Sequence, residues 1–190
     1  MSWKHALKEQ LRASLPDLTA PGPGTAAVLV LIGRRPGQGE EEILLTKRTE
    51  LVETHKGQIS FPGGFWEAGD EDSLQTALRE CEEEIGLIKQ DIEVLGALPL
   101  VHTRGAVPIF PWVARTNFPA ELLVSEGEVE QVLYLPLAQL LQEGLQPVTV
   151  EAKDYKVQSI GIRVSNELVW GATARVLQHL HEHLRKGRGL

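Results

Sequence analysis

The chain has 190 residues, 42% of them hydrophobic and 24% charged, which is enough length and apolar content to bury one sizeable core. A net charge of −7 argues against nucleic acid or a membrane surface as a partner, since both call for a basic patch. A single cysteine excludes an intramolecular disulfide framework, and no apolar run approaches the roughly 20 residues that cross a bilayer. The expectation is a soluble, cytoplasmic protein of a reducing compartment, with no signal-peptide pattern around Lys4, His5, Lys8 and Glu9.

Residues 2–15 predict an amphipathic helix, with Trp3, Leu7, Leu11 and Leu15 at helical spacing. Such a face packs on the rest of the domain or on a second subunit, which leaves a homodimer open. Pro16 and the stretch PDLTAPGPG (16–24) stop the helix and form a linker, so residues 1–24 precede one domain over 25–190. Strands are predicted at 25–33, where TAAVLVLIG is apolar on both faces, and at 42–48, EILLTKR. A loop over 49–61 ends in a short strand at 58–61. A helix follows over 72–85, with Asp72 or Ser73 as N-cap and Gly86 as stop. Further strands are expected at 91–100, 107–115 and 131–136, a short helix at 137–143, and short strands or a hairpin over 148–170. The last helix, 172–185, offers Ala174, Val176, Leu177, Leu180 and Leu184 as its apolar face. There is no regular βαβ repeat and no G-x-G-x-x-G after a strand, so a mixed sheet with helices on both faces fits better than a doubly wound dinucleotide fold.

The chemistry concentrates in GGFWEAGDEDSLQTALRECEEEIGL, residues 63–87. Residues three and four apart share a helix face, so Glu80, Glu83 and Glu84 crowd together, whereas Glu82 points to solvent. Like charges so placed repel unless a hard divalent cation sits among them, and carboxylate oxygens suit Mg²⁺ or Mn²⁺. Gly63 and Gly64 let backbone come close to such a metal and to phosphate. Arg79 projects about 100° away from Glu80 on the helix. A water attacking a phosphoanhydride needs a base, for which Glu83 is one candidate and Glu126, Glu128 or Glu130 are others. Lys47, Arg48, His55, Lys56 and Arg104 are the cations available to substrate phosphates.

This segment resembles the Nudix box, GX5EX7REUXEEXGU, with Gly64, then Asp70 or Glu71, then Arg79 to Leu87. The interval from Gly64 to Arg79 is one residue longer than the pattern, and Cys81 takes an aliphatic position, where a buried thiol acts as a small hydrophobe. The resemblance implies an α/β/α sandwich, a metal site at Glu80, Glu83 and Glu84, and catalytic roles for Glu83, Arg79 and Glu128. It also implies that Arg79 pairs with the loop acid, Asp70 or Glu71.

Upstream, LLTKRTELVETHKGQISFPGG (44–64) resembles the extended motif LLTxRSxxLRxHxGQxSFPGG of the coenzyme A subgroup, and WGATARVL (170–177) is similar to that subgroup too. The implied substrate is a small nucleotide, coenzyme A or its thioesters, with Arg48, His55, Gly63, Gly64 and Lys47 as contacts. Two departures keep open a second reading, a different nucleoside diphosphate derivative such as an ADP-sugar or a dinucleoside polyphosphate. Glu53 stands where the subgroup has Arg, and GGFWEAGD replaces GGKxDPGD, which brings Phe65 and Trp66 near the site. A non-catalytic nucleotide sensor is the third reading; it has no need of the carboxylate cluster.

Overall fold

A computed structural model describes residues 7–11, 21–49, 57–152 and 155–187 of the chain. Its centre is β1 (Ala26–Arg34), which pairs in parallel with β7 (Pro108–Asn117) and antiparallel with β2 (Glu42–Arg48) and β4 (Gly63–Phe65). β3 (Ile59–Ser60) and β8 (Val129–Pro136) flank β2, while β5 (Glu93–Ala97) and β6 (Val101–His102) pair with β7. This is one mixed sheet of eight strands. A second, antiparallel sheet holds β9 (Gln146–Ala152), β10 (Tyr155–Val164) and β11 (Glu167–Trp170).

The strand period of two explains how one sheet serves two cores. On β1 and β2, Ala27, Leu29, Leu31 and Leu44 enter one cluster, whereas Val30, Ile32, Ile43 and Leu45 enter the other. The first cluster is closed by Ala77, Leu78, Cys81 and Ile85 of α1 (Ser73–Ile85). The second is closed by Val176, Leu177, Leu180 and Leu184 of α3 (Gly171–Gly187), with Leu137 and Leu140 of α2 (Leu137–Glu143). Helices thus cover both faces, and the α/β/α sandwich is the observed architecture. Each buried aliphatic side chain contributes on the order of 2 kcal/mol.

Helical residues 7–11 put Leu7 and Leu11, both fully buried, into the α3-side cluster, and Lys8 pairs with Glu93 at 2.8 Å. Trp3 and Leu15 of the expected N-terminal helix lie outside the described residues. The strand expected over 91–100 is shorter than anticipated. A 3-10 turn, Lys89–Asp91, precedes it, the register slips between Val94 and Gly96, and the chain leaves the ladder after Ala97. Among the described residues, no helix is long and apolar enough to cross a membrane.

α1 is capped as its sequence dictates. The Asp72 carboxylate accepts the Gln75 N–H at 2.8 Å, and Gly86 stops the helix in the left-handed region at φ 72°. Cys81, fully buried between α1 and the sheet, is an aliphatic equivalent, and burial pushes its thiol up to about 12. Iodoacetamide at pH 8 will therefore leave Cys81 unmodified in the native protein and alkylate it after unfolding in urea, as read by mass spectrometry. Native labelling as fast as unfolded labelling would contradict this packing.

Candidate active site

The site is built where α1 crosses the glycine strand β4. A Cβ on Gly64 would lie 2.4 Å from the Glu80 carboxylate, so any side chain there would displace it. The Gly63 backbone amide opposes the rise of the Glu84 carboxyl on the next turn of the helix. Strand and helix come this close because Gly64 carries no side chain, while the bare Gly63 lets β4 lie against Ala27 and Val28 of β1.

Arg79 organises the cluster with all three of its guanidinium nitrogens. Nε and Nη2 donate to the two Asp70 oxygens at 3.2 and 3.1 Å, and Nη2 also donates to the Phe65 carbonyl at 3.0 Å. Nη1 donates to Glu80 at 2.9 Å and to Glu83 at 3.0 Å. The expectation that Arg79 turns away from Glu80 is therefore corrected, because the long side chain folds back across the helix. The i,i+4 spacing of Arg79 and Glu83 was the available signal. Of the two loop acids, the structure brings Asp70 to Arg79, while Glu71 is exposed. Asp70 also accepts from the Thr76 hydroxyl at 2.9 Å and the Glu67 N–H at 3.1 Å. Burial alone would raise its carboxyl, but the bonds from Arg79, Glu67 and Thr76 outweigh burial and hold it low.

The three helix glutamates have different surroundings. The Glu83 side chain is 55% exposed, that of Glu80 is 14% exposed and that of Glu84 only 1%. Burial raises the Glu80 carboxyl, with the Arg79 charge opposing and those of Glu83 and Glu128 adding to the rise. Burial pushes Glu84 up to about 8; Arg48 opposes the shift, and Glu80 and Glu128 reinforce it. Arg48 reaches Glu84 Oε1 at 3.4 Å, helped by a register shift between Lys47 and Arg48 on β2.

Of the downstream acids, Glu128 is the one whose charge is felt at both Glu80 and Glu84. Its placement follows from backbone bonds. Ser125 N–H donates to the Glu84 carbonyl at 2.9 Å, Glu128 N–H to Ser125, and Thr49 N–H to the Glu128 carbonyl. Glu126 is exposed, and Glu130 pairs with Lys47 at 3.2 Å. Lys47 is committed to Glu130 and to Glu167, the latter at 2.9 Å, rather than to the carboxylate cluster. Arg104 is exposed in the turn between β6 and β7. His55 and Lys56, like Glu53, lie outside the described residues.

These groups suit a divalent cation in their chemistry. All donors are carboxylate oxygens, and Glu84 Oε2 is buried without a hydrogen-bond partner. Among the described residues, no three acids are gathered into a ready cage, because Arg79 holds Glu80 and Glu83. A cation bound here would compete with Nη1 for these two oxygens and would find Glu84 Oε2 without a hydrogen-bond partner. Asp70→Ala will destabilise the fold by about 2–4 kcal/mol in urea, since it leaves Arg79 and Thr76 without their acceptor, whereas Glu71→Ala will stay within about 0.5 kcal/mol. Equal losses from both would contradict the assignment of Asp70 as the loop acid.

Comparison with known proteins gives the family. The NUDIX domain profile matches residues 23–155. Over 156 residues the chain is 36% identical to "Uncharacterized Nudix hydrolase NudL" of Salmonella paratyphi B, a match covering 82% of this chain and 80% of that protein. Among solved structures, a C. elegans Ap4A hydrolase binary complex superimposes with a TM-score of 0.53 at 18% identity, over 87% of this chain and 96% of that one. A MutT/nudix family protein from Enterococcus faecalis gives 0.53 at 15% identity, over 100% of this chain and 75% of that one. These two likenesses speak for the fold. The family model and the 36% identical relative place the chain in the NUDIX domain family, as a Nudix hydrolase acting on a diphosphate bond.

Proposed function

We propose that this enzyme hydrolyses the diphosphate bond of coenzyme A or an acyl-coenzyme A, releasing 3′,5′-ADP and 4′-phosphopantetheine or its acyl form. Mg²⁺ or Mn²⁺ is held by Glu80, Glu83 and Glu84. The observation that carries the chemistry is the buried, unpartnered Glu84 Oε2 beside Glu80 and Glu128. An uncompensated buried carboxylate is costly, and a hard cation relieves it. The coenzyme A half of the reading is supported by the residues of 44–64 and 170–177 that match the subgroup pattern.

When bound, a divalent cation supplies positive charge to the diphosphate oxygens and makes a bound water more acidic. The chain's own residues do the rest. Arg79, locked onto Asp70, fixes where Glu80 and Glu83 point, and Arg48 does the same for Glu84. Glu83 is exposed and takes a proton from the attacking water; Glu128, brought in from outside the helix, is the second base. The water oxygen bonds to phosphorus, and the bond from that phosphorus to the bridging oxygen breaks. Gly63 and Gly64 keep the approach clear of side chains.

A different nucleoside diphosphate derivative is the second reading. Phe65 favours it: it is 54% exposed and occupies the position where the coenzyme A pattern has Lys. Turnover of coenzyme A, dephospho-coenzyme A, ADP-ribose and a dinucleoside polyphosphate, each with Mg²⁺ and Mn²⁺, separates the two. Coenzyme A will be the fastest substrate, and faster cleavage of ADP-ribose would overturn the coenzyme A assignment. Glu83→Gln and Glu84→Gln will each lower kcat by about 100-fold or more with the fold intact by circular dichroism. Unchanged rates in both would remove the carboxylates from the mechanism.

A further inference from the structure

We infer that Phe65 is a substrate-contact residue, the stacking platform for the flat base of the substrate's nucleoside half. The inference rests on diphosphate hydrolysis at the Glu80 cluster, and it is independent of which nucleotide is cleaved.

The two adjacent aromatics of the loop have separate fates. Trp66 is built into the loop, with its backbone N–H on the Thr25 carbonyl at 3.0 Å and its indole N–H on the Asp70 carbonyl at 3.0 Å. Phe65 is not packed away. Its ring is 54% exposed, and it is the one aromatic among the large hydrophobic side chains left exposed in the described residues. Its root is nevertheless fixed on both sides. The residue pairs with Ala26 across β4 and β1, and its carbonyl takes the Arg79 guanidinium. An exposed apolar ring on a rigid backbone beside a reaction centre has the properties of a recognition surface.

Strand geometry gives the direction. Gly64 faces α1, since a Cβ there would meet Glu80, so Phe65 projects from the opposite face of β4. On that face the pairings place Ala26 and then Ile109 in line with it, both half-buried. The result is a flat apolar shelf ending in a phenyl ring. Among the described residues β4 pairs with β1 alone, and its other edge meets Arg79, whose Nη2 takes the Phe65 carbonyl, so the ring stands beside the guanidinium that holds Glu80 and Glu83. A nucleotide whose diphosphate lies at Glu80 turns over this edge through its ribose and lays its base on the ring. An aliphatic arm needs enclosure on several sides, whereas the ring, Ala26 and Ile109 form a single strand face. A planar heterocycle needs one face, and every base has one.

The test uses Phe65→Ala and Phe65→Leu in the full chain, with coenzyme A, ADP-ribose, a series of acyl-coenzyme A substrates and a ribose diphosphate ester lacking a base. Phe65→Ala will raise KM about 5- to 20-fold for coenzyme A and ADP-ribose alike, with kcat moving less than twofold. Phe65→Leu, which keeps bulk but not the π-face, will recover only part of this. The base-free ester will be indifferent to both. Binding of the fluorescent 1,N6-ethenoadenosine diphosphate, which needs no turnover, will weaken in the same order. An equal KM rise for the base-free ester, a rise that grows only with acyl length, or unchanged KM and unchanged ethenoadenosine binding would each overturn the inference. A preference for ADP-ribose over coenzyme A would overturn the coenzyme A reading and leave this one standing.

Discussion

The site depends on the guanidinium of Arg79. Its donors reach the Asp70 carboxylate, the Phe65 carbonyl, Glu80 and Glu83, so one side chain ties the acidic loop, the glycine strand and two turns of α1 together. Arg suits this task because its planar fork meets a carboxylate bidentately while its remaining N–H groups stay available. The Asp70 bonds hold the Arg79 charge in place, and they anchor the loop that would otherwise be free to move away from the helix. Lys, a single point charge, could not span the same set of acceptors.

Around that anchor the carboxylates are graded by depth. Glu83 faces solvent, Glu80 is mostly covered, and Glu84 is buried with one oxygen on Arg48 and the other unpartnered. Concentrating negative charge as it is buried costs stability, and Arg79 and Arg48 offset only part of that cost. The backbone chain from Glu84 through Ser125 to Glu128 and Thr49 then fixes the fourth acid relative to the other three. Gly64 brings the strand backbone against the Glu80 carboxylate.

Much of this was legible in the sequence, and the reasons are local. The helix with its Asp72 cap and Gly86 stop, the strand at 42–48 and the short helix at 137–143 match their expected bounds closely because propensity, capping and apolar period agree there. The two-faced apolar run of β1 announced a buried central strand. The extra loop residue left Asp70 and Glu71 equivalent on paper, since spacing along a loop does not say which carboxylate turns inward. The pairing of Arg48 with Glu84 and of Lys47 with Glu130 and Glu167 depends on contacts between distant segments, where no short-range pattern applies. The different exposures of Phe65 and Trp66 were hidden for the same reason: an aromatic pair reads alike until the strand face is known.

The proposed cation site of Glu80, Glu83 and Glu84, around the buried unpaired oxygen of Glu84, is open to a direct test. Titration of the wild-type chain with Mn²⁺, followed by electron paramagnetic resonance of the free ion and repeated with Glu84→Gln, tests it without any substrate. The wild type will bind Mn²⁺, with affinity reduced by about tenfold or more in Glu84→Gln. Equal Mn²⁺ affinity in the two proteins would contradict it.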